Sequence, residues 1–273
     1  MNQKLIKSKI NSSDVLENAK HIEKIYSDED VKINSQSFLG LILKDVKENY
    51  SDENSPLLIF NVLHVSRIAE ALEYLNSVPN KKKYLYDLLK GSLDFMKNTP
   101  SHAKSILWEL EVFTKIKKNI STVSLNEPDI VVDFEKVNIG IPCKKISSEK
   151  GLQSVLSKAV SQIEKNAFEF GIVAIDIDNI LPENMVMQAK SSKEALDGLF
   201  NNNIEFINRH EHHFLKYLNS SRIIAVLISS SVIVAIKDES PRFNNAFQWA
   251  VWTVPNLKVE HKEMINKFKQ VIL

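Results

Sequence analysis

The chain of 273 residues holds one cysteine, six glycines and four arginines, and its charges nearly cancel. A single thiol, Cys143, excludes an internal disulfide and any zinc site built from several cysteines. So few glycines disfavour a turn-rich all-β design and favour helices. Lys and Arg number 35 against 34 Asp and Glu. The resulting net charge of +1 supplies no global field for nucleic acid, so any such contact must rest on a local patch. The arginines are Arg67, Arg209, Arg222 and Arg242; the remaining basic charge is lysine. Lysine is a point charge without the bidentate fork that reads guanine edges, so phosphate contacts suit this composition better than base reading. No apolar run approaches membrane-spanning length, and the polar N-terminus lacks a signal-peptide core. A cytoplasmic protein with no membrane segment is the expectation.

What is present reads as α/β. The first hundred residues carry helical spacing: from Ser13-Asp14 to about Tyr26, from Ser35 to Tyr50, after Pro56, and from Tyr84 to Met96. Thr99-Pro100-Ser101 punctuates the chain and opens a helix to about Lys118. The period then changes to short β-like runs at 121–125, 129–134 and 137–146, followed by a helix over about 149–168 and an apolar run at 171–177. A long polar helix over roughly 192–217 comes next. Apolar runs at 222–228, 232–236 and 247–254, then a closing helix from about Val259, complete the pattern. Two regions are expected: helices over 1–98, and a mixed-sheet domain over 99–273 whose C-terminal part extends the same sheet.

Chemistry concentrates in the middle. Ile106, Leu110, Phe113, Ile116 and Ile120 form the apolar stripe of the helix from Ser101, and Glu109 falls inside that stripe. An acid on a buried face is costly unless satisfied, so Glu109 either snorkels to water or points into a polar site. Pro128-Asp129 opens the second β run. Alternation along the third β run then separates Val137, Ile139, Ile141 and Cys143 on one face from Asn138, Gly140, Pro142 and Lys144 on the other. The first face is core and makes Cys143 a small buried hydrophobe. Lys144 points to the face that Asp129 can reach.

Over residues 101 to 178, under a third of the chain, this order resembles the core of the PD-(D/E)XK nuclease superfamily. Those enzymes carry a Glu on a first helix, Pro-Asp on a strand and acid-X-Lys on the next, then a helix and a further strand. Many read Ile-Glu-Cys-Lys at the third element; here it is Ile141-Pro142-Cys143-Lys144, with proline in place of the acid. Many also carry a Gln in the following helix, matched by Gln162. The resemblance implies a restriction-endonuclease-like αβββαβ core with a mixed central sheet. It also implies Mg²⁺ or Mn²⁺ held by Asp129 and Glu109, with the Cys143 backbone carbonyl facing the metal. Lys144 would orient water or stabilise phosphate charge, and Gln162 would position water or backbone.

The implied activity is metal-dependent hydrolysis of phosphodiester bonds, with DNA as the expected substrate, in defence or DNA processing. Pro142 removes the second carboxylate and a ladder donor, which requires a bulge or a strand edge there. A catalytically inactive nuclease-fold module that binds nucleic acid or assembles with protein is the alternative. The N-terminal helices are the candidate protein-binding region, and a homodimer is left open. His210-Glu211-His212-His213 lacks HExxH spacing and reads as a solvated helix face. Lys81-Lys82-Lys83 and Lys115, Lys117 and Lys118 read the same way. Asp176 and Asp178 read as charges at a loop edge, and odd-spaced Trp249 and Trp252 as packing residues on opposite faces of their strand.

Overall fold

Helix starts follow capping chemistry. Ser37 and Ser55 precede helices and accept hydrogen bonds from the amides of Gly40 and Leu58, satisfying donors that a first turn leaves unpaired. The computed structural model describes residues 12–50, 55–134, 137–166 and 168–273. Five helices open the fold: α1 (Ser12–Asp28), α2 (Phe38–Asn49), α3 (Pro56–Ala71), α4 (Lys81–Leu88) and α5 (His102–Lys117). Strands β1 (Val123–Asn126), β2 (Asp129–Phe134), β3 (Val137–Ile141) and β4 (Cys143–Lys145) follow. Then come α6 (Leu152–Lys165), β5 (Phe170–Asp176), β6 (Val186–Ala189), α7 (Ser192–Ser220), β7 (Ile223–Ile236), β8 (Phe243–Trp252) and α8 (Val259–Ile272).

The eight strands form one mixed sheet. β1, β2 and β3 make an antiparallel meander, and β5 runs parallel to both β3 and β4. β7 lies parallel to β5 along its first half and to β6 along its second. β8 runs antiparallel along the opposite edge of β7 and has no further strand partner among the described residues. One face of the sheet packs against α3, α5 and α8, and the other against α6 and α7. The first core is continuous from Val15 in α1 to Ile272 in α8, so the N-terminal helices share their apolar interior with the sheet. No described helix is long and apolar enough to cross a membrane.

Two expectations change, and one strand is added. The helix expected to reach Met96 stops at Leu88. Gly91 takes a φ of 127°, and local bonds from Asp94 N–H to Ser92 Oγ and from Met96 N–H to Asp94 Oδ1 favour turns there. The two late apolar runs are a single fourteen-residue strand, β7, that passes through Ser229, Ser230 and Ser231. Their small side chains fit a covered sheet: Ser229 and Ser230 are buried, and Ser231 bonds to Asp178 through both its N–H and its hydroxyl. The short strand β6 had no sequence signal strong enough to mark it, since three of its four residues are only partly buried or exposed.

Candidate active site

Pro142 shapes the local sheet. β2 and β3 pair through Ile130 opposite Ile141, so the next pair would set Asp129 opposite Pro142. Proline has no N–H to donate, and the strand is interrupted there: β3 ends at Ile141 and β4 resumes at Cys143, paired with β5. The Pro142 carbonyl accepts from Ala174 N–H at 3.0 Å. By strand alternation the peptide groups of Cys143 face away from β5, toward β2. The Cys143 N–H accordingly donates to Asp129 Oδ2 at 2.7 Å, and Lys144 Nζ donates to the same oxygen at 2.8 Å. The Asp129 side chain thus closes the gap that proline opens in the ladder.

Glu109 belongs to α5, which packs on β4, and it feels the charges of Asp129 and Lys144. It is half-buried, and burial, followed by the neighbouring Asp129 carboxylate, pushes its carboxyl up to about 8 against the opposing pull of Lys144 and Lys83. Asp129 is also raised by burial, although the Lys144 ammonium and the Cys143 amide favour its ionised form. Tyr84, on α4, feels both acids: burial first, then Glu109 and Asp129, push its phenol up to about 12. The N-terminal helices therefore contribute to the same electrostatic cluster through Lys83 and Tyr84. Only the charge run Lys81-Lys82-Lys83 hinted at this in sequence.

Gln162 sits one step back. Its Nε2 donates to the Pro128 carbonyl at 3.4 Å, beside Asp129, while its Oε1 is buried without a partner. Gly140 permits the close approach of that turn: a Cβ there would lie 2.9 Å from Phe168 and 3.1 Å from Pro128. Cys143 packs in the core and burial pushes its thiol well above the usual range, so the sulfur is a hydrophobe and only its backbone faces the site. His210 bonds to Glu149 at 2.8 Å, and Glu149 is also held by Arg209. No group of three His, Cys, Asp or Glu suited to a metal ion is gathered among the described residues.

A second charged cluster was hidden in the sequence. Asp176 and Asp178 are not loop-edge charges: Asp176 is buried and the Asp178 side chain is only 10% exposed. Lys145 pairs with Asp176 and reaches Asp178 at 3.5 Å. Arg67 of α3 bonds Glu111 of α5 at 2.5 Å, Asp178 at 3.4 Å and Ser231 at 2.8 Å. Its guanidinium also lies over the rings of Phe95 and Phe247, at 3.9 and 4.8 Å. Burial and then Asp178 push Asp176 up, whereas Lys145 and Arg67 hold Asp178 down despite burial. The charged and polar members come from five separated stretches of chain, which is why no local pattern betrays them.

Glu109 makes the candidate site pH-sensitive. Its folded value lies above the ordinary 4.5, so its contribution to stability is fully present below about 4.5 and is lost as pH rises through about 8. Glu109→Gln, which cannot ionise, should melt several degrees above the unsubstituted protein at pH 9, with the difference vanishing near pH 4.5. Thermal melts across that range check the sign. The chain matches no protein-family model, no curated protein and no solved structure.

Proposed function

We propose that this protein is a divalent-metal-dependent nuclease whose site is formed by Asp129, Lys144 and Glu109. The observation that carries the reading is the Lys144–Asp129 pair beside the break at Pro142, with Glu109 near enough to be raised by Asp129 after burial. The order α5, β1, β2, β3, β4, α6, β5 within a mixed sheet supports it as well, since it matches the αβββαβ order that the PD-(D/E)XK resemblance implies once β3 and β4 are taken as the two halves of the third β run.

The donor set fits a hard cation. Two carboxylates and the Cys143 carbonyl are oxygen ligands, and Mg²⁺ characteristically takes one or two carboxylates with waters and substrate phosphate. The two half-buried acids have Lys144 as a close cation, on Asp129, and burial followed by Asp129 raises Glu109. Asp129 and Glu109 would hold Mg²⁺ or Mn²⁺, which when bound polarises phosphate and lowers the pKa of water. Lys144 sets an ammonium beside Asp129, where it can meet phosphate charge. Gln162 steadies the Pro128 turn that presents Asp129.

A second reading, a nuclease-fold module that binds nucleic acid without cutting it, is favoured by one observation. Pro142 stands opposite Asp129, where an acid would complete the carboxylate pair, and Lys144 already neutralises Asp129. Incubation with single- and double-stranded DNA and with RNA, in Mg²⁺ or Mn²⁺ from pH 6 to 9, separates the two. Cleavage supports the nuclease; salt-sensitive binding without turnover supports the module. Pro142→Glu would set a carboxylate across from Asp129 at a Cβ spacing of about 5 Å. That variant should raise Mn²⁺ affinity about tenfold in calorimetric titration, and an unchanged titration would remove position 142 from the site.

A further inference from the structure

The Lys144–Asp129 pair works against a cation that arrives by itself. Asp129 Oδ2 accepts the Lys144 ammonium at 2.8 Å and the Cys143 N–H at 2.7 Å. The pair is formally neutral, so its carboxylate offers little net attraction while Lys144 stays in place. The position across the ladder gives no help. By the β2–β3 register Pro142 stands opposite Asp129 with an apolar ring, and its carbonyl accepts the Ala174 N–H.

Nearby charge does not supply the missing acid either. Glu127 acts on Asp129 from two residues away, but it is exposed at the turn before β2. Asp87 acts on Glu109 from α4 and is tied to Lys90 at 2.7 Å. Lys83, exposed on the same helix, opposes it. Among the described residues, no three His, Cys, Asp or Glu side chains are gathered to suit a metal ion. The protein's own groups leave the donor set one anion short.

Charge balance then sets a condition. Asp129 and Lys144 are 18% and 22% exposed, so water screens a divalent ion beside them only in part. Glu109 can match one of the ion's two positive charges. A phosphodiester brings the second negative charge, on oxygens of the hard kind that Mg²⁺ and Mn²⁺ select. It also gives the flexible Lys144 ammonium another anion to meet, which releases Asp129 Oδ2.

We propose that a substrate phosphodiester replaces the carboxylate that Pro142 lacks, so that divalent ion and phosphodiester bind as a unit and each binds weakly alone. Lys144 is the latch that makes them interdependent. The proposal rests on the nuclease reading and adds to it the ligand that completes the donor set. Linkage makes the coupling reciprocal: the phosphodiester strengthens ion binding by the factor by which the ion strengthens phosphodiester binding.

Calorimetric titration of Mn²⁺ into the full chain tests this, with and without hydrolysis-resistant phosphorothioate oligo(dT), single-stranded or paired with phosphorothioate oligo(dA). Titrations of the oligonucleotides alone and of Asp129→Asn supply the background. The phosphorothioate should tighten Mn²⁺ binding by about tenfold or more, whereas a methylphosphonate strand, with the same bases and no backbone charge, should not. Lys144→Met should bind Mn²⁺ without any strand more tightly than the parent, and its coupling should shrink to about threefold or less. Circular dichroism reports whether that variant keeps its fold, and Lys144→Gln stands in if it does not. Equal Mn²⁺ affinity with and without the phosphorothioate overturns the proposal and leaves the nuclease reading standing. Mn²⁺ binding that never depends on Asp129 overturns both. Loss of strand-free Mn²⁺ binding in Glu127→Gln would assign the missing acid to Glu127 and overturn the proposal as well.

Discussion

If the protein is the nuclease proposed above, Asp129→Asn is expected to lower its metal-dependent cleavage by about three orders of magnitude or more, equivalent to roughly 4 kcal/mol of lost transition-state stabilisation. The substitution is chosen because it separates charge from structure. Asp129 Oδ2 accepts both the Cys143 N–H and the Lys144 ammonium. Asparagine keeps an oxygen for the amide and removes the anion, whereas alanine would leave the Cys143 N–H without its acceptor at a cost of about 1–3 kcal/mol. The thermal midpoint of Asp129→Asn should therefore stay within about 4 °C of the parent. Gel-based cleavage with Mg²⁺ and Mn²⁺, paired with a melt, is the measurement. Lys144→Ala should fall in the same direction. Equal turnover in Asp129→Asn and the parent would place the chemistry elsewhere in the molecule.

Arg67→Met is expected to produce the largest loss of stability, about 3–5 kcal/mol, because it leaves the nearly buried Glu111 without the Arg67 cation and Asp178 with Lys145 alone. The side chains of Arg67, Glu111 and Asp178 are 6%, 11% and 10% exposed, so water offers little compensation. For a chain of this size that loss lowers the melting midpoint by on the order of 10 °C. Lys193→Ala provides the contrast. Its partner Asp197 is held one helical turn away and the two side chains are 80% and 39% exposed, so the effect should stay within about 0.5 kcal/mol. Arg67→Met combined with Glu111→Leu should recover part of the loss, since one stranded charge is removed with its partner. A cost for Arg67→Met no greater than for Lys193→Ala would mean that the cluster is hydrated.

Why was one charged cluster legible in sequence and the other not? Pro128-Asp129 and Ile141-Pro142-Cys143-Lys144 lie on neighbouring strands joined by a short connection, and strand alternation alone aims Lys144 toward the face of Asp129. Glu109 stood out because it interrupts an apolar helical stripe. Each signal is local. Arg67, Glu111, Asp178 and Ser231 instead meet across separations of 44, 111 and 164 residues, each measured from Arg67. Asp176 and Asp178 follow an apolar strand as ordinary loop acids do. Helical spacing likewise did not show that Lys83 and Tyr84 lie near Glu109, because α4 meets α5 only through tertiary packing.

Pro142 marks the boundary between the two kinds of knowledge. By itself the sequence determined that the third β run must break or lie at an edge there, because proline has no N–H to give. It also determined that Cys143 is core, that α5 and α6 flank the strands, and that Trp249 and Trp252 part to opposite faces: Trp249 packs in the first core and Trp252 in the second. Only the tertiary structure decided how the break is filled, by an Asp129 carboxylate that accepts the Cys143 amide and the Lys144 ammonium together. It alone decided that three serines continue one long strand, and that β8 has no strand partner but β7 among the described residues. The physical reason is the range of the forces that act. Periodicity and missing donors operate within a few residues, whereas charge pairing, burial and edge exposure depend on which distant segments the fold brings together.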